Sequence, residues 1–375
     1  MAIPQAQKRI QLFRPQVREE AIQAVGEVLR SGWLGLGPKT AEFERAFAGY
    51  TGADYCVGVN SCTSALHLAL RLLTLPPGSE VITTPLTFVS TNHAILYEGM
   101  HPVFADIEPR TGNLDAGDAA RRITDHTRAM VIVHYSGYPC DLDAFYALGR
   151  AHNLPIIEDC AHACGAAYRG RRIGSHGQYH AFSFHAVKNL PMGDGGALTL
   201  SQPEDDARAR ALRWMGIDRS TYQRSDGGRS YQWDYRVEEV GFKYHMNDIQ
   251  AAIGLAQLPF LEEENRYRAR LVARYRDALA GVPGVELLQQ TADRQSSHHL
   301  CPILVDGRER LIDKLNAGGV DVGMHYRRND DYPMYEQQEL PNTAAFTARV
   351  LSLPLHLGLT EDDVDYVAGL IREGW

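Results

Sequence analysis

Between residues 54 and 200 the chain alternates short apolar runs with amphipathic stretches, and this alternation restricts the fold more than any other feature. Strands are expected at 54–59, 80–84, 102–106, 129–134 and 155–157, and helices at 65–73, 90–98 and 142–152. Strands separated by helices imply an α/β fold whose largely parallel sheet is covered on both faces. In such sheets ligands sit beyond the carboxyl ends of the strands. Thr87, Phe88, His134, Tyr135, Asp159 and His162 all fall at that end. An aspartate closing a buried strand serves either a ligand or the cap of the next segment.

Residues 182–196, FSFHAVKNLPMGDGG, carry the densest chemistry. A strand-like run over 180–185 delivers Lys188 into a loop that closes on Gly193, Asp194, Gly195 and Gly196, and another strand follows at 197–200. A lysine held between two strands beside Ser183 and His185 suits amine chemistry; most lysines, however, are solvated. Upstream, Asn60-Ser-Cys-Thr-Ser64 joins a strand to the helix at 65–73. Small hydroxyl residues there cap the helix, and the same geometry builds an anion site from free N–H groups.

The flanks are less constrained. Helices are expected at 16–31 and 39–50, separated by a glycine-rich break that carries Trp33. The polar region 205–239 holds Trp214, Tyr222, Tyr231, Trp233 and Tyr235, and its aromatics argue for a substrate-facing or interface loop rather than disorder. A helix at 249–258 and a long charged helix at 261–280 lead into mixed elements, with a strand at 301–305 and helices at 309–318 and 360–372. The expected division is a large domain over 1–258 and a smaller one over 259–375, consistent with 375 residues.

Composition excludes several classes. A net charge of −8 offers no basic footprint for nucleic acid. No apolar run approaches a membrane span, and no membrane association is expected. The first residues lack the apolar core of a secretory signal, so a cytoplasmic enzyme with reduced cysteines is expected. Cys160 and Cys164 flank His162, but the spacing matches no zinc site, and no metal is expected.

Taken together, these motifs resemble the DegT/DnrJ/EryC1/StrS family of pyridoxal-phosphate-dependent sugar aminotransferases, over nearly the whole chain. The signature is Ser183-Phe-His185-Ala-Val-Lys188 followed by Gly193-Asp-Gly-Gly196. Thr63-Ser-Ala-Leu-His-Leu-Ala-Leu70, Thr87-Phe88, Val133-His-Tyr-Ser-Gly137 with Asp141, and Glu158-Asp-Cys-Ala-His162 also match. So do residues 246–254, the pair His325-Tyr326 and Leu353-Pro-Leu-His356.

The resemblance implies fold type I of the pyridoxal-phosphate enzymes, with a mostly parallel seven-stranded sheet, a smaller C-terminal α+β domain and a homodimer with shared active sites. It implies that Lys188 holds the cofactor (pyridoxal phosphate, cycling with its pyridoxamine form) as a Schiff base and later moves protons. Asp159 would face the pyridine nitrogen, Phe88 would stack on the ring, and His162 would stand beside the cofactor hydroxyl. Cys62, Thr63, Ser64 and Ser183 would surround the phosphate, Cys62 replacing a common glycine. Lys243 stands in a segment that reaches the neighbouring subunit's phosphate in the family. Trp33, Tyr135, His185, Trp233, His325 and Tyr326 are candidates for the substrate side. Arg327-Arg328 either meets a nucleotide diphosphate or forms a solvated turn.

The expected reaction moves an amino group from glutamate or glutamine to a keto-sugar, nucleotide-linked in the leading reading. A cyclitol ketone and a cofactor-binding protein without turnover are the alternatives. The sugar 3-dehydratases resemble this family but carry histidine in place of the lysine, and Lys188 argues against that chemistry.

Overall fold

The computed structural model describes residues 9–218 and 235–375. Its centre is a seven-stranded sheet of β1 (Tyr55–Val59), β2 (Glu80–Thr83), β3 (His101–Phe104), β4 (Thr127–Val133), β5 (Ile156–Asp159), β8 (Tyr179–Ser183) and β9 (Gly196–Leu200). The order is β1-β9-β8-β5-β4-β2-β3. β9 is antiparallel to both neighbours, and every other pairing is parallel. The elements therefore follow the alternation seen in the sequence, each boundary moving by three residues or fewer.

Both faces of the sheet are covered because side chains alternate between them. Cys56, Ile82, Met130, Ile132 and Phe182 enter one core with Phe43, Phe47 and Phe145. Val57, Val81, Val131, Ala181 and Leu198 enter the other with Leu66, Leu68 and Leu70 of a helix at Cys62–Leu73. Each of the larger aliphatic and aromatic side chains among them, fully buried, contributes about 1.5–3 kcal/mol. The pattern explains why these strands read as continuous apolar runs.

Helices α1 (Glu19–Ser31) and α2 (Pro38–Thr51) precede the sheet, and α3 is the helix at Cys62–Leu73. The start of α2 is fixed from far along the chain. Asp248 accepts from the N–H groups of Gly37, Lys39 and Thr40 at 3.0, 3.1 and 2.9 Å.

The helix Leu261–Leu279 leads into a third core, formed by Leu271, Tyr275, Leu315, Val364 and Ile371 with Ile10. Its antiparallel sheet joins β10 (Val285–Leu287), β12 (Cys301–Val305) and β13 (Val350–Leu353). A small sheet pairs β6 (Ala167–Tyr168) with β7 (Arg171–Arg172) and β11 (Arg294–Gln295). The N-terminal segment crosses onto this part of the molecule, where Ile10 N–H donates to Gly319 O at 2.9 Å.

One expectation changes. Part of the region read as a loop over 205–239 is a helix, Pro203–Leu212. It carries proline in its first turn, three acidic residues there and Arg210 in its last turn, all favourable at those places. Only Ala209 and Leu212 are buried, so the apolar period that would reveal it is missing.

Candidate active site

A cavity of about 380 Å³ opens at the carboxyl ends of β4, β5 and β8. Its size lies in the range of roughly 300–1,000 Å³ that small-molecule sites occupy. One wall is the first turn of α3, where Ser61 caps the helix by accepting from Ser64 N–H at 3.1 Å. Ser61, Cys62 and Thr63 line the cavity, and first-turn N–H groups have no partner within a helix. Gly196 brings β9 against this turn. A Cβ there would lie 2.5 Å from Ser61 C and 2.7 Å from Cys62 N, so only glycine fits.

Asp159 ends β5 and forms the floor. Thr91 Oγ1 donates to its Oδ2 at 2.7 Å, and Ala161 N–H to its Oδ1 at 3.0 Å. Thr87 Oγ1 stands 2.8 Å behind Thr91. Burial pushes the Asp159 carboxyl above its ordinary value in spite of these donors, so the carboxylate lacks full compensation. The Cys62 thiol points at Ala181 O (3.4 Å) and Asp159 Oδ1 (3.9 Å), which accommodates its side chain beside the helix start.

Lys188 follows β8 and places its amine inside the cavity. Burial lowers its pKa to about 8. Nζ lies 3.3 Å from Nε2 of His299, whose Nδ1 is 3.1 Å from Asn189 Oδ1. Two more imidazoles complete this wall. His162 Nε2 bonds the Tyr326 hydroxyl at 2.9 Å, while its buried Nδ1 has no partner among the described residues. His325 Nδ1 lies 3.0 Å from Ser352 Oγ. Burial holds His162 and His299 well below the ordinary histidine value and His325 at about 4, so all three rings are neutral at pH 7. The Phe88 ring is 59% exposed and lies 6.3 Å from that of Tyr326, leaving a face for a planar ligand.

Cys62, Thr63, Phe88, Asp159, His162, Ser183, His185, Lys188, His325 and Tyr326 thus share one cavity. Other expected residues stand elsewhere. Ser64 directs its hydroxyl to Asn60 Oδ1 and its N–H to Ser61, so it completes the cap instead of lining the cavity. Tyr135 is buried against Phe346, and its hydroxyl donates to His325 O at 2.5 Å; it braces the site from behind instead of meeting substrate. The turn after it, with Ser136 at φ 62°, folds that ring inward. Trp33 Nε1 donates to Leu36 O at 3.2 Å, away from the cavity. The Lys243 ammonium lies 3.6 Å from the Trp214 ring centre, outside the cavity of its own chain. Trp233, Tyr222 and Tyr231 lie outside the described residues. Arg328 is held by Asp330 and Gln338 O, and Arg327 by Asp331, so the pair builds a turn.

Thr91, His299 and Phe13 were not singled out by sequence reasoning. Thr91 carried one signal, its position four residues after Thr87 at a helix start. His299 carried none beyond preceding a strand. His134, Glu158 and Cys160 also gather in the buried core. His134 Nδ1 accepts from Cys140 N–H at 3.1 Å and Nε2 reaches Glu158 at 2.8 Å, so both ring nitrogens are engaged and no lone pair is left for a metal.

A family model, the DegT/DnrJ/EryC1/StrS aminotransferase family, matches residues 15–372. The chain belongs to this family. It is similar to AtS13 from Actinomadura melliaura, at 43% identity and a TM-score of 0.91, covering 98% of this chain and 99% of that one. The sugar aminotransferase CalS13 from Micromonospora echinospora gives 36% and 0.91, covering 98% and 100%. Spr1654 from Streptococcus pneumoniae, solved in its PLP form, gives 30% and 0.90, covering 98% of each chain, and has also been solved in its PMP form. The protein is therefore a pyridoxal-phosphate-dependent aminotransferase of fold type I, one of the sugar aminotransferases. The cavity fits that cofactor on its own terms. It offers a buried amine of lowered pKa, an undercompensated carboxylate suited to a cationic ring nitrogen, and a helix N-terminus suited to a phosphate.

Proposed function

We propose that this enzyme transfers an amino group from glutamate or glutamine to a nucleotide-linked keto-sugar, acting in the cytoplasm as a homodimer. The observation that carries the reading is the Lys188 amine, with a pKa of about 8, sharing one cavity with Asp159 in a sugar aminotransferase fold.

The roles follow from the chemistry of each group. The cofactor supplies an electron sink that makes the carbon bearing the amino group acidic. Lys188, half neutral near pH 8, would hold the cofactor through its amine and would then carry a proton between carbon and nitrogen. Asp159, oriented by Thr91, keeps the ring nitrogen protonated. Phe88 would cover one face of the cofactor ring, and His162, through its unpartnered Nδ1, would meet its hydroxyl. Thr63, Ser183 and the N–H groups of Cys62 and Thr63 bind the phosphate. His185, His325 and Tyr326 orient the sugar, and Phe13, which lines the cavity beside His299, helps exclude water.

Exposed apolar side chains on and beside α1 (Val17, Ile22, Leu29 and Leu34) support a second copy packing there. Lys243 and Trp33, away from their own chain's cavity, would then serve the partner's. A division into 1–258 and 259–375 is supported by the third core, which apart from Ile10 is built from residues beyond 258. Incubating the loaded enzyme with glutamate and a panel of nucleotide keto-sugars, and following product mass, tests the reaction. An aminated sugar supports it, whereas amination of cyclitol ketones alone replaces the acceptor.

A further inference from the structure

We propose that His299 is the acid–base partner of Lys188, its Nε2 lone pair taking the proton that Nζ must lose before it can act as a nucleophile. The inference rests on Lys188 being the reacting amine and goes beyond that role by assigning the group that deprotonates it.

The proton positions follow from Asn189. Its side-chain nitrogen lies 2.7 Å from Ser297 O, a backbone carbonyl that can only accept. The same nitrogen donates to Asn265 Oδ1 at 2.7 Å, and Asn265 Nδ2 in turn donates to Cys164 O at 3.0 Å. The amide of Asn189 is thereby oriented, and its Oδ1 faces His299 Nδ1 at 3.1 Å. An acceptor there requires the proton on Nδ1. A neutral imidazole then has its lone pair on Nε2, which is the atom 3.3 Å from Nζ.

The ring is fixed in plane. Phe13 stacks against it at 6.0 Å with an interplanar angle of 10°, and the tilted His162 ring lies 4.5 Å away. The titratable groups that bear on His299 are Lys188, His162, His325 and Arg268, all bases. None stabilises an imidazolium, so the charged ring is transient and returns its proton.

The step balances. An Nζ–H bond of the ammonium breaks and an Nε2–H bond forms, while His299 Nδ1–H stays donated to Asn189 Oδ1. Nζ then bonds to a carbonyl carbon. The carbonyl oxygen leaves as water, with one proton from Nζ and one returned by His299, and the nitrogen keeps the last proton.

The test needs neither sugar nor amino donor. Full-length protein is stripped of cofactor, and the rate of Schiff-base absorbance on adding pyridoxal phosphate is followed against pH. Near pH 7 the His299→Gln protein is expected to condense about tenfold more slowly than wild type, the deficit of neutral amine one pH unit below its pKa of about 8. The gap closes above the pKa of Lys188, where the amine is already neutral, and added imidazole restores the His299→Ala protein. An unchanged rate, or a loss equal at every pH with no rescue by imidazole, overturns the proposal. No absorbance even in wild type overturns the role of Lys188 as well, whereas a wrong donor or acceptor leaves this assay intact.

Discussion

Thr91 Oγ1 donates to Asp159 Oδ2 at 2.7 Å, joining the start of a helix to the end of β5 across 68 residues of chain. This contact pulls the carboxyl of the cavity floor toward its ionised form. Hydrogen bonds to a carboxylate favour its ionised form, and burial opposes it. Thr91→Val removes the donor while keeping the shape. Cofactor affinity is expected to fall by about tenfold to a hundredfold, the worth of one hydrogen bond to a charged group. Absorbance titration of the stripped protein with pyridoxal phosphate measures it, and an unchanged affinity would remove Thr91 from the account.

Gly196→Ala is expected to abolish cofactor retention. Its Cβ would meet backbone atoms of Ser61 and Cys62 at 2.5–2.7 Å, and backbone has little room to yield. The first turn of α3 must shift, and the anion site shifts with it. Cofactor content after gel filtration reads the effect.

The pH response of Lys188 has a defined sign. Its pKa is lowered by burial to about 8, while Cys62 and Asp159 pull it upward. In the His299→Gln protein, which lacks the neighbouring base, the loading rate should fall by about tenfold per pH unit below that value as the neutral amine is depleted. Asp159→Asn removes an upward pull, so the midpoint should move to lower pH. A midpoint left near the ordinary lysine value would contradict the burial of Nζ.

The strands were legible because a parallel sheet covered on both faces writes each of them as a short apolar run, as at Thr127–Val133. Lys188 and Asp159 were legible because each ends or follows such a run. Thr91 and His299 were not, since their meaning lies in contacts with residues 68 and 111 positions away. Tyr135 was misplaced for a related reason. Its strand-end position is right, but the turn at Ser136 points the ring into the core. Ser64 occupies the expected turn, yet its hydroxyl is consumed by the cap.

Glu44 gives a stability test away from the site. It is buried and accepts from Gly58 N–H at 2.9 Å, Arg210 at 2.6 Å and Arg213. Burial pushes its carboxyl up, but Arg213 and Arg210 outweigh that and hold it below the ordinary range. A depressed folded-state pKa stabilises above the unfolded value and is lost as pH falls through the folded one. Glu44→Ala leaves a buried Arg213 without its partner and should cost about 3–5 kcal/mol at neutral pH. Denaturant melts of both proteins should converge as the solution is made acidic, and a constant difference would refute the linkage.

The most direct measurement is the visible spectrum of the purified, loaded protein before and after glutamate. With Lys188 as the attachment point, the Schiff-base band is present in wild type, bleaches as the amino group is taken up, and returns when a keto-sugar acceptor removes it. Lys188→Ala shows no such band and no return. A wild-type band that survives glutamate and glutamine alike, or a Lys188→Ala protein that still aminates a keto-sugar, would contradict the account.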